Sequence, residues 1–135
     1  MKIVLFACVH NAGRSQMAAI LFNRLADPTK AKALSAGTRP GTRVHPEVVA
    51  VMRELGVDLS EVLPRSLTDA LAAEADLLVT MGCGEECPVV PGIGRDDWAL
   101  DDPKGQPVER VRRIRQEIEQ RVRDLLHAQG WLRTA

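Results

Sequence analysis

Ile3-Val4-Leu5-Phe6-Ala7-Cys8-Val9-His10-Asn11-Ala12-Gly13-Arg14-Ser15, running on through Gln16 to Leu25, is the stretch that decides the fold. Ile3 to Ala7 is apolar without alternation, as a strand covered on both faces should be. Met17, Ile20, Leu21 and Leu25 then recur at helical spacing, and Asp27-Pro28 stops the helix. The pattern predicts a strand that delivers Cys8 to a turn and a helix that begins where the turn ends. Five residues separate Cys8 from Arg14, enough for a loop that closes on itself with several backbone N–H groups pointing inward.

Such a ring is an anion cradle. The first amides of a helix have no intrahelical acceptor, and the helix dipole places about half a positive charge there, so a tetrahedral oxyanion finds donors already oriented. Val9, His10, Asn11, Ala12, Gly13, Arg14 and Ser15 are the candidate substrate-binding residues, with Arg14 adding a bidentate fork. The same field favours the Cys8 thiolate, to which Ser15 can donate a hydroxyl. The competing reading is a buried cysteine ending a strand and a surface arginine opening a helix. Strand, loop length and helix together favour the cradle.

The 135 residues predict one domain, 1–135, large enough to bury a core. Lys plus Arg equals Asp plus Glu at 18 each, so no net charge recruits nucleic acid or an anionic membrane, and attraction for an anion must be local. The N-terminal apolar run is too short for a signal segment or a membrane span, which points to a cytoplasmic protein. Three cysteines in a reducing compartment do not make a disulfide framework, and their odd number suits a relay better than a staple.

Further along, Lys32 to Ala36 reads as a short strand ending at Gly37, and Pro46 suits the first turn of a helix through about Leu55. Ser66-Leu67-Thr68-Asp69 has the spacing of a capping box opening a short helix to about Glu74. Leu77 to Met81 is the third strand and Trp98 to Leu100 a short last one. From Val108 to about His127, apolar residues recur at three- and four-residue steps in the longest helix, with Gly130 near its stop. The expected fold is α/β: three layers, with a small four-stranded parallel sheet and helices on both faces. The cradle then lies at the carboxyl end of the first strand, where such folds place ligands.

Gly82-Cys83-Gly84-Glu85-Glu86-Cys87-Pro88 answers no core requirement. On a regular helix the Cβ atoms of Cys83 and Cys87 would stand about 5 to 6 Å apart. A disulfide wants about 3.8 Å. Gly82 and Gly84 make the needed distortion cheap, which predicts a segment able to hold Cys83 near Cys8 in one state and bond it to Cys87 in another. Two inert thiols, or a zinc site completed by His10, are the alternatives; zinc spacing is usually tighter, so no metal is expected. His10 reads as a loop side chain, His45 as structural, and His127 as a complement to its helix dipole. Pro103 holds Asp102 extended, which can aim its carboxyl group at the cradle as a general acid. An ordinary loop aspartate is the alternative, and Asp101 is the weaker candidate.

Cys8 to Ser15 resembles the phosphate-binding loop of low-molecular-weight protein tyrosine phosphatases, and Asp102-Pro103 resembles their general-acid loop. With Ser15-Gln16-Met17-Ala18, Ser35-Ala36-Gly37, Asp76 to Thr80, Cys87-Pro88 and Trp98 through Pro103, the chain is more similar to the arsenate reductases built on that fold, over nearly its full length. The resemblance implies a relay without cofactor. Cys8 attacks arsenate held by the loop and Arg14, Asp102 assists loss of an oxygen, and Cys83 attacks Cys8 to release arsenite. Cys87 then resolves the Cys8 to Cys83 disulfide, leaving an oxidised pair for thioredoxin or another thiol reductant such as a mycoredoxin with a low-molecular-weight thiol. Where better-known members bind potassium through acidic side chains this chain has Ala19 and Arg65, so no potassium site is expected. The alternatives are a phosphatase, which would need no second cysteine, and a non-enzymatic protein that binds trivalent arsenic through three thiols.

Overall fold

The computed structural model describes residues 1–82 and 93–134. Among the described residues, eight elements follow one another as β1 (Lys2–Cys8), α1 (Arg14–Leu25), β2 (Ala31–Gly37), α2 (Pro46–Arg53), α3 (Asp69–Ala73), β3 (Leu77–Thr80), β4 (Gly94–Asp97) and α4 (Val108–Gln129). The four strands form one parallel sheet in the order β2-β1-β3-β4. β1 lies inside the sheet with a neighbour on each edge, which explains its unbroken apolar run.

Successive side chains of β1 serve opposite faces. Val4, Phe6 and Cys8 join the larger core, where α1, α2 and α4 contribute Met17, Leu21, Phe22, Met52, Ile114, Ile118 and Val122. Leu5 and Ala7 face a smaller cluster with Ala36, Ala72, Ala75 and Leu78, covered by the five-residue α3. The three-layer α/β architecture is therefore as the sequence predicts, with unequal outer layers. Phe6 anchors the larger one, its ring 6.0 Å from that of Phe22 and 5.4 Å from that of Trp98. Gly130 ends α4 in the left-handed region at φ 73°, where its amide and that of Trp131 satisfy carbonyls of the last turn.

Two expectations need correction. The last strand is Gly94–Asp97, not Trp98 to Leu100, and all four of its residues are exposed. An edge strand made of glycine and charged residues carries no apolar signal, whereas Trp98 and Leu100 are buried because the chain turns into the core beyond the sheet. The N-cap of α3 is Thr68, not Ser66: Thr68 Oγ1 accepts the amide of Leu71, and Asp69 is the first helical residue. Ser66 instead bridges to Gly37 at the end of β2. No helix among the described residues is long and apolar enough to cross a membrane.

Candidate active site

β1 ends at Cys8 and α1 begins at Arg14, so the intervening loop sits at the carboxyl end of an interior strand, between β2 and β3. Its carbonyls are tied down by the segment after β2. The amides of Thr38, Arg39, Gly41 and His45 donate to the carbonyls of Cys8, Val9, His10 and Ala12 at 2.8 to 3.2 Å. Because a trans peptide points its N–H opposite to its C=O, the amides of Val9, His10, Asn11 and Gly13 face the other way. Among the described residues, none of the amides from Val9 to Gln16 has an acceptor. Unpaired backbone donors on this scale are rare unless something occupies them, and here they line a concavity at a helix N-terminus. Gly37 makes the tethering feasible: a Cβ there would sit 2.6 Å from Val9 O and 2.8 Å from Asn11 N.

The interior of the loop is fixed by side chains. Asn11 is fully buried with φ 50°, a left-handed conformation that asparagine tolerates better than other residues with a side chain. Its Nδ2 donates to Ser15 Oγ at 2.8 Å, and Ser15 Oγ stands 2.8 Å from Cys8 Sγ. Its Oδ1 accepts from Gln16 Nε2 and from the amide of Arg65, both at 3.0 Å. Arg65 is fixed in turn by its Nε, which donates to Ser35 O at 3.0 Å. Cys8 is buried and unbonded to another cysteine.

Arg14 is 8% exposed. Its Nη1 donates to Leu100 O at 3.1 Å, and its Nη2 lies 3.9 Å from Asp102 Oδ2. Among the described residues its Nε is buried without a hydrogen-bond partner, a donor that a seated anion or a water can use. Gly82, at φ 89°, presses against this guanidinium so closely that a Cβ would lie 2.3 Å from Nη1. Asp102 Oδ1 accepts the amide of Lys104 at 3.0 Å, and Pro103 covers Gly13, where a Cβ would meet Pro103 Cγ at 2.7 Å. Asp101 points elsewhere, to an ion pair with Arg110 on α4. Two neighbouring carboxylates are thus separated, one facing Arg14 and the other the helix.

Cys8, His10, Ala12, Gly13, Arg14, His45 and Asp102 line the resulting cleft. The structure therefore gathers the predicted loop residues and Asp102 in one place. Cys83 and Cys87, with the deformable segment expected around them, lie outside the described residues. His10 Nδ1 is 3.0 Å from Arg39 O, and since a carbonyl only accepts, that nitrogen carries the hydrogen. His45, for which the sequence predicts a structural role, has its ring on the wall of the cleft within reach of Gly13, where a Cβ would be 3.4 Å from its Cδ2. Burial holds its imidazole below the ordinary histidine range, against the opposing pull of the Asp102 and Glu47 carboxylates. No local signal reveals this, because His45 comes into place through the tether of its amide to Ala12. No three His, Cys, Asp or Glu side chains among the described residues are grouped to hold a metal ion.

The family model for low molecular weight phosphotyrosine protein phosphatase matches residues 3–131. The glutaredoxin arsenate reductase of Synechocystis is 35% identical over 130 residues, spanning 93% of this chain and 97% of its own length. The crystal structure of an Archaeoglobus fulgidus arsenate reductase superimposes with a TM-score of 0.80 at 35% identity, covering 92% of this chain and 98% of that one. The thioredoxin-dependent arsenate reductase of Corynebacterium glutamicum gives a TM-score of 0.79 at 38% identity over 95% of this chain, which spans only 61% of that longer protein.

Proposed function

The chain belongs to the low molecular weight phosphotyrosine protein phosphatase family, and we propose that within it the chain is an arsenate reductase of the thiol-relay type. It reduces arsenate to arsenite, as its relatives are named for doing. The observation that carries the reading is the loop itself: Cys8 Sγ in a cleft bordered by amides, and by a buried Arg14 Nε, that have no acceptor among the described residues. That arrangement binds a tetrahedral dianion and holds a sulfur nucleophile beneath it.

The relay balances as follows. The Cys8 thiolate attacks As(V), and an oxygen leaves as water on taking a proton from Asp102. The Cys83 thiolate attacks Cys8 Sγ, an S–S bond forms, and the electron pair of the S–As bond departs on arsenic as As(III). The Cys87 thiolate then attacks Cys83, frees Cys8 and leaves the Cys83 to Cys87 disulfide. Two thiols becoming one disulfide supply the two electrons that arsenate needs. Gly82 supports the middle step, since it touches Arg14 and immediately precedes Cys83 in the chain.

The oxidised pair is returned to thiols by an external dithiol such as thioredoxin, or by a glutaredoxin- or mycoredoxin-type protein with a low-molecular-weight thiol, in the reducing cytoplasm. Mass spectrometry of trapped disulfides after one equivalent of arsenate tests the scheme. Cys87→Ser should stop at a Cys8 to Cys83 disulfide and give at most one turnover with thioredoxin. Cycling of that variant at the parent rate removes the resolving role from Cys87. Sustained hydrolysis of a phenyl phosphate with no arsenate turnover identifies a phosphatase instead.

A further inference from the structure

Gln16 has no place in the relay, yet its side chain is buried against the loop and spends both amide hydrogens on one residue. Its Nε2 donates to the backbone carbonyl of Asn11 at 3.1 Å and to Asn11 Oδ1 at 3.0 Å. We propose that Gln16 is a positioning residue that fixes the Asn11 carboxamide so that the single proton of the Ser15 hydroxyl goes to the Cys8 sulfur.

Asn11 Oδ1 receives two donors, Gln16 Nε2 and the amide of Arg65. Turning the carboxamide over would set its NH2 against both, so the oxygen must face them and Nδ2 must face Ser15. Ser15 Oγ therefore accepts from Asn11, and its hydrogen is left for the atom on its other side, Cys8 Sγ. Without the Gln16 donor, Oδ1 is held by the Arg65 amide alone and the carboxamide turns more readily. Ser15 would then face an oxygen and give its proton to Asn11 instead of to sulfur. A hydrogen bond to a charged acceptor favours the charged form, so the loss falls on the thiolate. The inference rests on Cys8 being the nucleophile, but not on which anion it attacks.

The test therefore uses alkylation rather than arsenate. In full-length protein carrying Cys83→Ser and Cys87→Ser, Cys8 is the one remaining thiol, and its reaction with iodoacetamide is followed from pH 5 to 10. Gln16→Met, which keeps bulk and removes both donors, should slow alkylation at pH 6 about tenfold, the thiolate share that one charge-assisted hydrogen bond controls. By pH 10 the difference should vanish. Ser15→Ala should show the same profile, and the Gln16→Met/Ser15→Ala double variant should be no slower than Ser15→Ala alone. Gln16→Glu, similar in shape but placing a carboxylate against two oxygens, should also be slow at pH 7 and serves if the methionine variant does not fold. Folded Gln16 variants that alkylate within twofold of the parent at pH 6, or a slowing additive to that of Ser15→Ala, overturn the proposal. Failure here leaves the relay standing, because arsenate turnover is not the readout.

Discussion

Asp101 and Asp102 are adjacent, but only Asp102 is turned to Arg14, while Asp101 is held by Arg110. On the proposed general-acid role, Asp102→Asn, which keeps the size and has no proton to transfer, should slow formation of the Cys8 adduct by about 10² to 10⁴ while leaving phosphate binding nearly intact, as read by rapid quench and calorimetry. Asp101→Asn should change the adduct rate little. Gly37→Ala belongs at the same scale: its methyl would meet Val9 O and Asn11 N, backbone atoms that cannot step aside alone. The expected cost is about 1 to 3 kcal/mol of stability together with weaker phosphate binding, and a variant that melts and binds like the parent would show that the loop yields. Cys8 and Arg14 are legible from their spacing, Asn11 as a residue of the loop between them, and Asp102 from the proline that follows it. His45 and Gln16 are not, since each acts through a tether to a loop residue that spacing alone does not reveal.

Among the elements, legibility followed burial. β1, α1 and α4 bury whole faces, so apolar periodicity placed them within two residues of where they lie. β4 escaped because an exposed edge strand needs only backbone partners, supplied by β3 from Leu77 to Thr80. α4 packs on α1 and α2 and buries Ile114, Ile118 and Val122 in the larger core. Ile118→Ala should cost about 2 to 5 kcal/mol in urea unfolding, since the fully buried site cannot collapse around the missing carbons. At the surface, Glu54 after α2 is gripped by Arg112 in two hydrogen bonds and by Arg115, whose Nη1 also reaches Val51 O at 2.6 Å. These arginines hold its carboxyl down to about 2.

The molecule as a whole should lose stability as the solution is acidified, in two stages with separate causes. His45 in the folded chain resists protonation because it is buried, so below about pH 6.5 the unfolded chain binds a proton the folded one refuses. Stability is then lost as pH falls from that value through the lower folded one. Glu54 acts further down: its contribution is full above its ordinary range near 4.5 and disappears as pH drops through about 2. Thermal melts from pH 8 to 2 should show both declines, with His45→Asn flattening the first and Glu54→Gln reducing the second, which Asp27 and Asp58 share because hydrogen bonds from Thr29 and Ser60 also hold their carboxyls below the ordinary range. If His45→Asn leaves the upper decline unchanged, burial of that imidazole is not its source.

The tethering of the loop carbonyls has one more consequence, for deuterium labelling. Amides of Thr38, Arg39, Gly41 and His45 stand outside regular helix or strand, yet each is bonded to the loop between β1 and α1 and should be guarded from exchange. The run from Val9 to Gln16, whose amides have no acceptor among the described residues, should label quickly in ligand-free protein and fall quiet once an oxyanion is seated. A region that looks rigid in every static respect would then report occupancy of the cleft, residue by residue, through how fast it takes up deuterium.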